Sequence, residues 1–352
     1  MDILIIVGST GGHYFPAIAV GEKIKEFNPA INVWFAGEKK IKNLEIWKGK
    51  NFKAIPVLKK PNKKFLIVNS FIVAIFVFLK AITFLTEKKF RLIVCMGSYA
   101  TVPIGITAFL MRKTVILHEA NLLPGLANKI LNVFGVPAAI TFPETCEFLN
   151  RTTHTGFPIR KDFLSSEKNY ERYGLIPDKF TILALGGSQG ARFINQVVCA
   201  SVPLLDPLKY QIIHLTGKKD YHWVKSFYEG ETITAYVVDF TYEIPHLMNL
   251  ADIAIARAGS GTIAELSFKA IPSILIPYPF ASGHQKFNAL YAEKKGCIMI
   301  EQQKANPQMI FNAILKMQFD IEERKKLFSS LGICDVSGNF AKMCLTLINK
   351  NG

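Results

Sequence analysis

No two of the six cysteines stand at C-x-x-C spacing, no Asp-x-Asp occurs, and no glycine turn reads G-x-G-x-x-G. Each absence excludes a class. Cys95, Cys146, Cys199, Cys297, Cys334 and Cys344 are scattered, which fits reduced, mostly buried thiols in the cytoplasm rather than a disulfide framework or a zinc site. Met1 is followed at once by Asp2 and an apolar strand pattern, so no cleavable leader is expected. Without paired carboxylates there is no ordinary Mg²⁺ or Mn²⁺ clamp for a nucleotide sugar, and helix N-termini and backbone amides must neutralise any diphosphate. The first glycine turn, Gly8-x-x-Gly11-Gly12, breaks the dinucleotide rule, and Glu38, where a ribose acid would stand, lies in a lysine-rich turn. A nicotinamide-dependent dehydrogenase is therefore disfavoured. Acidic residues are few, 27 against 42 lysines and arginines, for a formal charge of +15. That excess suits an acidic partner: nucleic acid, anionic lipid or a phosphorylated substrate. Recognition-helix, zinc-finger and RNP-like patterns are missing and the lysines do not alternate with aromatics, so no nucleic acid is expected.

What is present is one signature written twice. Asp2-Ile3-Leu4-Ile5-Ile6-Val7 runs into Gly8-Ser9-Thr10-Gly11-Gly12-His13 and a helical pattern. Phe180-Thr181-Ile182-Leu183-Ala184-Leu185 runs into Gly186-Gly187-Ser188-Gln189-Gly190-Ala191 and another. A buried strand, a glycine turn and a helix start aim backbone N–H groups and the positive end of a helix at an anion. The second copy begins about half-way along the 352 residues, which predicts two α/β domains, each offering its first turn to a shared cleft. Candidate strands are 2–7, 31–36, 91–95 and 114–117 in the first half, and 180–185, 210–215, 234–238, 252–256 and 273–276 in the second. Helical patterns fill the gaps, so parallel sheets covered on both faces are expected. The boundary is placed near Thr155–Arg160, giving domains 1–157 and 158–335, with a helical pattern over Gly338–Asn349, inside 336–352, able to pack on either.

A third turn is sharper. Strand 252–256 leads into Arg257-Ala258-Gly259-Ser260-Gly261-Thr262, and Ile263-Ala264-Glu265-Leu266 opens a helix. Small residues let a diphosphate approach the helix N-terminus, and Glu265 either accepts hydrogen bonds from a ribose or merely complements the helix dipole. Further on, Gln285 and Asn288 stand three apart on one helical face, suited to reading sugar hydroxyls or simply to facing solvent. His13, directly after the first turn, is either a general base or a structural group bonded to its own helix. Gly97-Ser98-Tyr99-Ala100 and His118-Glu119-Ala120-Asn121 follow strands 91–95 and 114–117, at the strand ends where open α/β sheets bind ligands.

The charge has a location too. Lys59, Lys60, Lys63 and Lys64 precede the apolar run Phe65–Leu79, and Lys80, Lys88, Lys89 and Arg91 follow it. The run is short of the ~20 residues that span a bilayer. It reads as a core helix, or as a helix with one face against an anionic membrane surface.

Taken together, GSTGGHYFPA, GSYATVP, HEANLLPGLAN, TGFPIR, GGSQGARFIN, RAGSGTIAEL and PYPFASGHQKFNA, in that order, resemble the MurG family of bacterial glycosyltransferases. The resemblance implies an α/β fold of glycosyltransferase B type, two Rossmann-like domains with parallel sheets facing a central cleft. It implies that the N-terminal domain takes the lipid-linked acceptor and the C-terminal domain takes UDP-GlcNAc, with no cofactor and no catalytic metal. The implied reaction adds N-acetylglucosamine to lipid I to make lipid II for peptidoglycan. Carried over by position, Thr10, Gly11, Gly12 and Asn121 lie against the donor's diphosphate–sugar end. Arg160 and Ser188 help hold the diphosphate, with Gln189 bordering the pocket. Thr241 lies in the segment shaping the uracil pocket, Ser260, Gly261, Thr262, Ile263, Ala264 and Glu265 bind phosphate and ribose, and Gln285 holds GlcNAc hydroxyls. His13 is the favoured base, with Tyr99, His118 and Glu119 on the acceptor side. Segment 59–91 matches the membrane-docking region, which implies peripheral attachment to the cytoplasmic face and other cell-wall synthesis proteins as partners. The chain departs from the family in having Ala120 for Gln, Phe157 for Asn and Ser9 for Gly.

Overall fold

A computed structural model describes residues 1–55, 67–187, 189–280 and 283–350, with the main chain alone for 67–75 and Lys350. The chain forms two compact units, Met1–Arg160 with Asp335–Gly352, and Lys161–Cys334.

In the first unit β1 (Asp2–Ile6), α1 (Gly11–Phe27), β2 (Asn32–Gly37), β3 (Asn51–Ala54), α2 (Ile67–Glu87), β4 (Phe90–Cys95), α3 (Thr101–Leu110), β5 (Thr114–Glu119), α4 (Leu126–Val133), β6 (Ala138–Ile140) and β7 (Thr152–His154) follow one another. The strands make one parallel sheet in the order β3-β2-β1-β4-β5-β6-β7. Its central strands β1, β4 and β5 are almost wholly buried because both faces are covered. Along β1 and the residue after it, Ile3, Ile5 and Val7 face a cluster with Ala17, Ile24 and Trp47, while Leu4 and Ile6 face one with Leu85, Ile93 and Ile104. At ~1.5–3 kcal/mol per fully buried aliphatic side chain, β1 alone is a major anchor. Pro16 lies in the second turn of α1, where it gives up the one helical hydrogen bond an N–H there would make.

The short β8 (Phe157–Pro158) leads to the second unit. There β9 (Phe180–Leu185), α5 (Arg192–Ser201), β10 (Tyr210–Leu215), α6 (Tyr221–Glu229), β11 (Thr234–Val238), α7 (Ile244–Leu250), β12 (Ile253–Ala256), α8 (Ser260–Phe268), β13 (Ser273–Leu275), α9 (His284–Glu293), β14 (Ile298–Met299), α10 (Pro307–Phe319) and α11 (Ile321–Ser329) follow. The sheet runs β11-β10-β9-β12-β13-β14, again parallel. Finally β15 (Cys334–Asp335) pairs with β8, and α12 (Asn339–Lys350) closes the chain.

The helix left free to pack on either half belongs to the first unit. Phe340, Ala341, Cys344 and Ile348 enter the same cluster as Ile3 and Ile5, and Asp335 accepts from the N–H groups of Asn339 and Phe340 at the start of α12. Besides the short β8, five strands were not expected: β3, β6, β7, β14 and β15, each of two to four residues. The boundary between units falls after Arg160, three residues later than expected, so Arg160 groups with the first unit.

Candidate active site

Three glycine turns sit at strand ends as expected, and each is shaped by contact rather than by composition alone. In the first, His13 packs its ring against main chain on two sides. A Cβ on Gly8 would lie 2.8 Å from His13 Nδ1, and one on Gly97 would lie 3.5 Å from Nε2. Gly97 and the non-glycine Ser98 both have left-handed φ, +78° and +76°, which brings this loop close to the ring. Thr10 Oγ1 lies 2.8 Å from Nδ1, and the Thr10 carbonyl accepts from His13 N–H at 2.9 Å. Surrounding protein strips water from the imidazole and lowers its pKa to about 4, so it is neutral at physiological pH. Gly11 and Gly12 form the first residues of α1, Gly12 on its exposed side. Tyr99 is half-buried before α3.

His118 and Glu119, expected on the acceptor side, are only 2 % exposed each. Glu119 organises the loop after β5: Oε1 accepts from Asn121 N–H (2.9 Å) and Nδ2 (3.2 Å), and Oε2 accepts from Gly125 N–H (2.9 Å) and Asn128 Nδ2 (2.8 Å). Asn121 is thereby fixed at the strand end. His118 stacks on Phe340 at 5.1 Å, meets Phe157 edge-on at 6.2 Å, and has Thr141 Oγ1 3.3 Å from Nε2. Burial lowers its pKa to about 4, with the nearby His13 adding to the effect. Phe157, where the family has Asn, is thus a core contact of this buried ring. Arg160 lies in the first unit, its guanidinium 4.6 Å from the ring centre of Phe15 in α1.

In the second unit the turn after β9 is closed on itself. A Cβ on Gly186 would be 2.2 Å from Ala191 N, and one on Gly190 (φ +72°) 2.4 Å from the Thr216 carbonyl oxygen. Ser188 lies outside the described residues; Gln189 is exposed. Sequence reasoning missed what holds this turn from below. Asn195 Nδ2 donates to Thr216 O and Asp220 Oδ2, both at 2.9 Å, while its Oδ1 lies 3.1 Å from Nε2 of the fully buried His214, whose Nδ1 faces Tyr228 OH at 3.1 Å. The signal available was a histidine directly after Ile212 and Ile213 in β10.

In the third turn Gly259 precedes α8, and Ile263 N–H already donates to its carbonyl at 2.9 Å. The N–H groups open to a ligand are therefore those of Ser260, Gly261 and Thr262. Ile263 and Ala264, expected with their neighbours at the donor, have side chains wholly buried in the core. Glu265 is half-buried one turn further along. Gln285, expected at the GlcNAc hydroxyls, has its Oε1 accepting from Tyr278 N–H at 2.9 Å. Asn288 does not share that role: it is fully buried and donates to Ala258 O at 3.2 Å, tying α9 to the turn. Thr241 Oγ1 accepts from Glu243 N–H at 2.9 Å, capping the loop after β11.

Residues 3–138 match the glycosyltransferase family 28 N-terminal domain and residues 181–330 its C-terminal domain. The chain is 36% identical over 337 residues to the UDP-N-acetylglucosamine–N-acetylmuramyl-(pentapeptide) pyrophosphoryl-undecaprenol N-acetylglucosamine transferase of Thermodesulfovibrio yellowstonii, covering 90% of each. It is 35% identical to the enzyme of the same name from Aquifex aeolicus, covering 91% of this chain and 93% of that one. Its fold superposes on the crystal structure of Acinetobacter baumannii MurG with a TM-score of 0.75 and 19% identity, over 98% of this chain and 99% of the other.

Proposed function

Because this chain belongs to the MurG family, the UDP-N-acetylglucosamine–N-acetylmuramyl-(pentapeptide) pyrophosphoryl-undecaprenol N-acetylglucosamine transferases, we infer that it is a hexosyltransferase. It transfers N-acetylglucosamine from UDP-GlcNAc to the 4-hydroxyl of MurNAc in lipid I, giving lipid II for peptidoglycan synthesis. Identity above a third across nine-tenths of both chains carries the reading.

We propose that His13 is the base. With Nδ1–H donating to Thr10 Oγ1, 2.8 Å away, the lone pair of Nε2 is free to accept a proton. The acceptor 4-hydroxyl attacks C1 of the α-linked donor, its proton passes to Nε2, and the C1–O bond to UDP breaks with inversion. The ring is neutral before the step because it is desolvated, so no proton must first be lost. The N–H groups of Ser260, Gly261 and Thr262, with the Gly186–Ala191 turn, supply hydrogen bonds to the diphosphate as its charge grows. Glu265 accepts from the ribose hydroxyls and the Gln285 amide donates to a GlcNAc hydroxyl, while Glu119 acts at one remove by fixing Asn121. Thr241 borders the uracil.

Attachment to an anionic membrane surface is the remaining element of the proposal. Among the described residues no helix is long and apolar enough to cross a membrane. Val77, Ala81, Phe84 and Leu85 of α2 face the core, whereas Phe76 (54 % exposed), Leu79 (57 %) and Ile82 face outward beside Lys80. Residues 56–66 of the basic–apolar segment, with Lys59, Lys60, Lys63 and Lys64, lie outside the described residues. The exposed apolar strip and its flanking cations suit peripheral docking on the cytoplasmic leaflet.

The test is transfer of radiolabelled GlcNAc from UDP-GlcNAc to a short-chain lipid I analogue, in EDTA and with added Mg²⁺. Labelled lipid in both is the expected result. Intact UDP-GlcNAc with binding retained would move the reading to a different acceptor or to a non-catalytic sugar-nucleotide binder.

A further inference from the structure

Arg257 directly follows β12, in the turn that leads into α8, and is only 8 % exposed. Its Nη1 donates to the carbonyls of Ile276 (3.0 Å) and Pro277 (3.3 Å), and its Nη2 to Gln302 Oε1 (2.6 Å). All three acceptors are neutral. Rings of Phe193 and Tyr278 lie 5.9 and 5.5 Å from the guanidinium carbon and offer electron-rich faces but no net charge. No carboxylate among the described residues pairs with it, and of its five N–H donors, Nε–H and one on Nη2 find no acceptor there. Burial lowers its pKa only to about 10, so the charge persists at neutral pH. A buried, unpaired cation is costly and is seldom kept without an anion to meet it.

Its neighbours identify the anion. Phe193 stands in the first turn of α5, just beyond the Gly186–Ala191 turn. Ile276 and Pro277 lead directly to Tyr278, whose N–H donates to Gln285. Gly259, two residues on, caps α8. One guanidinium therefore touches or adjoins all three segments assigned above to the donor.

We propose that Arg257 is the resident counter-charge of the donor site: a positioning residue that sets the three turns in register and supplies the positive potential that holds the diphosphate and the departing UDP. This rests on the assignment of the second unit to UDP-GlcNAc. Its signature is dependence on ligand charge, since loss of a fixed charge weakens a ligand in proportion to the phosphates it carries, whereas loss of loop geometry weakens every ligand alike.

The test is calorimetric titration of the full chain with uridine, UMP and UDP, for the unmodified protein, Arg257→Gln and Arg257→Lys, with melting curves to confirm folding. Arg257→Gln should weaken UDP by about tenfold or more, UMP by less, and uridine by no more than about twofold; Arg257→Lys, which keeps the charge, should recover most of the UDP affinity. A uniform loss across the three ligands, or unchanged UDP binding in Arg257→Gln, overturns the proposal. Should Arg257→Gln not fold, Arg257→Lys decides: a UDP-to-uridine affinity ratio kept within about threefold supports the counter-charge, and a collapsed ratio overturns it. An unmodified chain that binds none of the three refutes the donor-site assignment itself, a result distinct from failure of the arginine variants alone.

Discussion

Acidification from pH 7 to pH 5 should weaken the first unit through His118 by about 2 kcal/mol. The imidazole is 2 % exposed, stacked on Phe340, and has its pKa lowered by burial to about 4. In the unfolded chain the same group titrates near ~6.5. A cation disfavoured by folding gives stability that is present above the unfolded pKa and lost as pH falls from there through the folded pKa. At pH 7 both states are largely neutral; at pH 5 the unfolded imidazole is almost fully charged and the folded one is about nine-tenths neutral, a gap of about 2 kcal/mol that grows to roughly 3 below pH 4. The assay is urea unfolding followed by tryptophan fluorescence in a Trp223→Phe background, where the remaining Trp34 and Trp47 both report the first unit. His118→Gln keeps a neutral donor at the site and removes the titration. The parent should lose about 2 kcal/mol more than His118→Gln between the two pH values. Equal losses would refute the desolvation argument, whatever the variant's stability at pH 7.

Three further outcomes are expected. His13→Ala should lower turnover by ~10²–10⁴-fold while leaving UDP affinity nearly unchanged, and the acid limb of kcat/KM in the parent should fall near pH 4 rather than 6.5, because the base works only when neutral; parallel loss of turnover and UDP binding would mark a structural histidine. Glu265→Ala should raise the donor KM by about tenfold or more without a matching fall in kcat, and unchanged donor kinetics would remove its ribose role. Gly190→Ala places a Cβ 2.4 Å from the Thr216 carbonyl at a left-handed φ, so it should cost about 2 kcal/mol or more and raise the donor KM, read by thermal unfolding and by initial rates.

The strands that carry the turns were legible because burial on both faces leaves an uninterrupted apolar run, as in Asp2–Ile6 and Phe180–Leu185. Short edge strands were not: Asn51–Ala54 alternates exposed and half-buried residues, and Ala138–Ile140 has only three. Such segments become strands through a neighbour's hydrogen bonds, which no local pattern announces. The glycine turns were legible at the strand ends, and His13 stood out by position. Which polar groups are consumed internally could not be read. Asn288 shares a helical face with Gln285 but spends its amide on Ala258, and Glu119 spends both oxygens on its own loop. Asn195, His214 and Arg257 lie far apart in the chain and become partners of the turns only through the parallel crossovers.

The return of α12 to the first unit has a consequence for the order of assembly. Phe340 fills the space against His118, and Asp335 fastens the start of the helix, yet both are synthesised after the whole of Lys161–Cys334. At about 5–20 residues per second, that intervening stretch takes on the order of ten to thirty seconds to emerge from a ribosome. The second unit is continuous and holds all its own strands, so it can complete itself as it emerges. The first waits with an apolar face of α1, β4 and β5 uncovered until the last helix arrives, and during that interval it is the half open to chaperones and to aggregation.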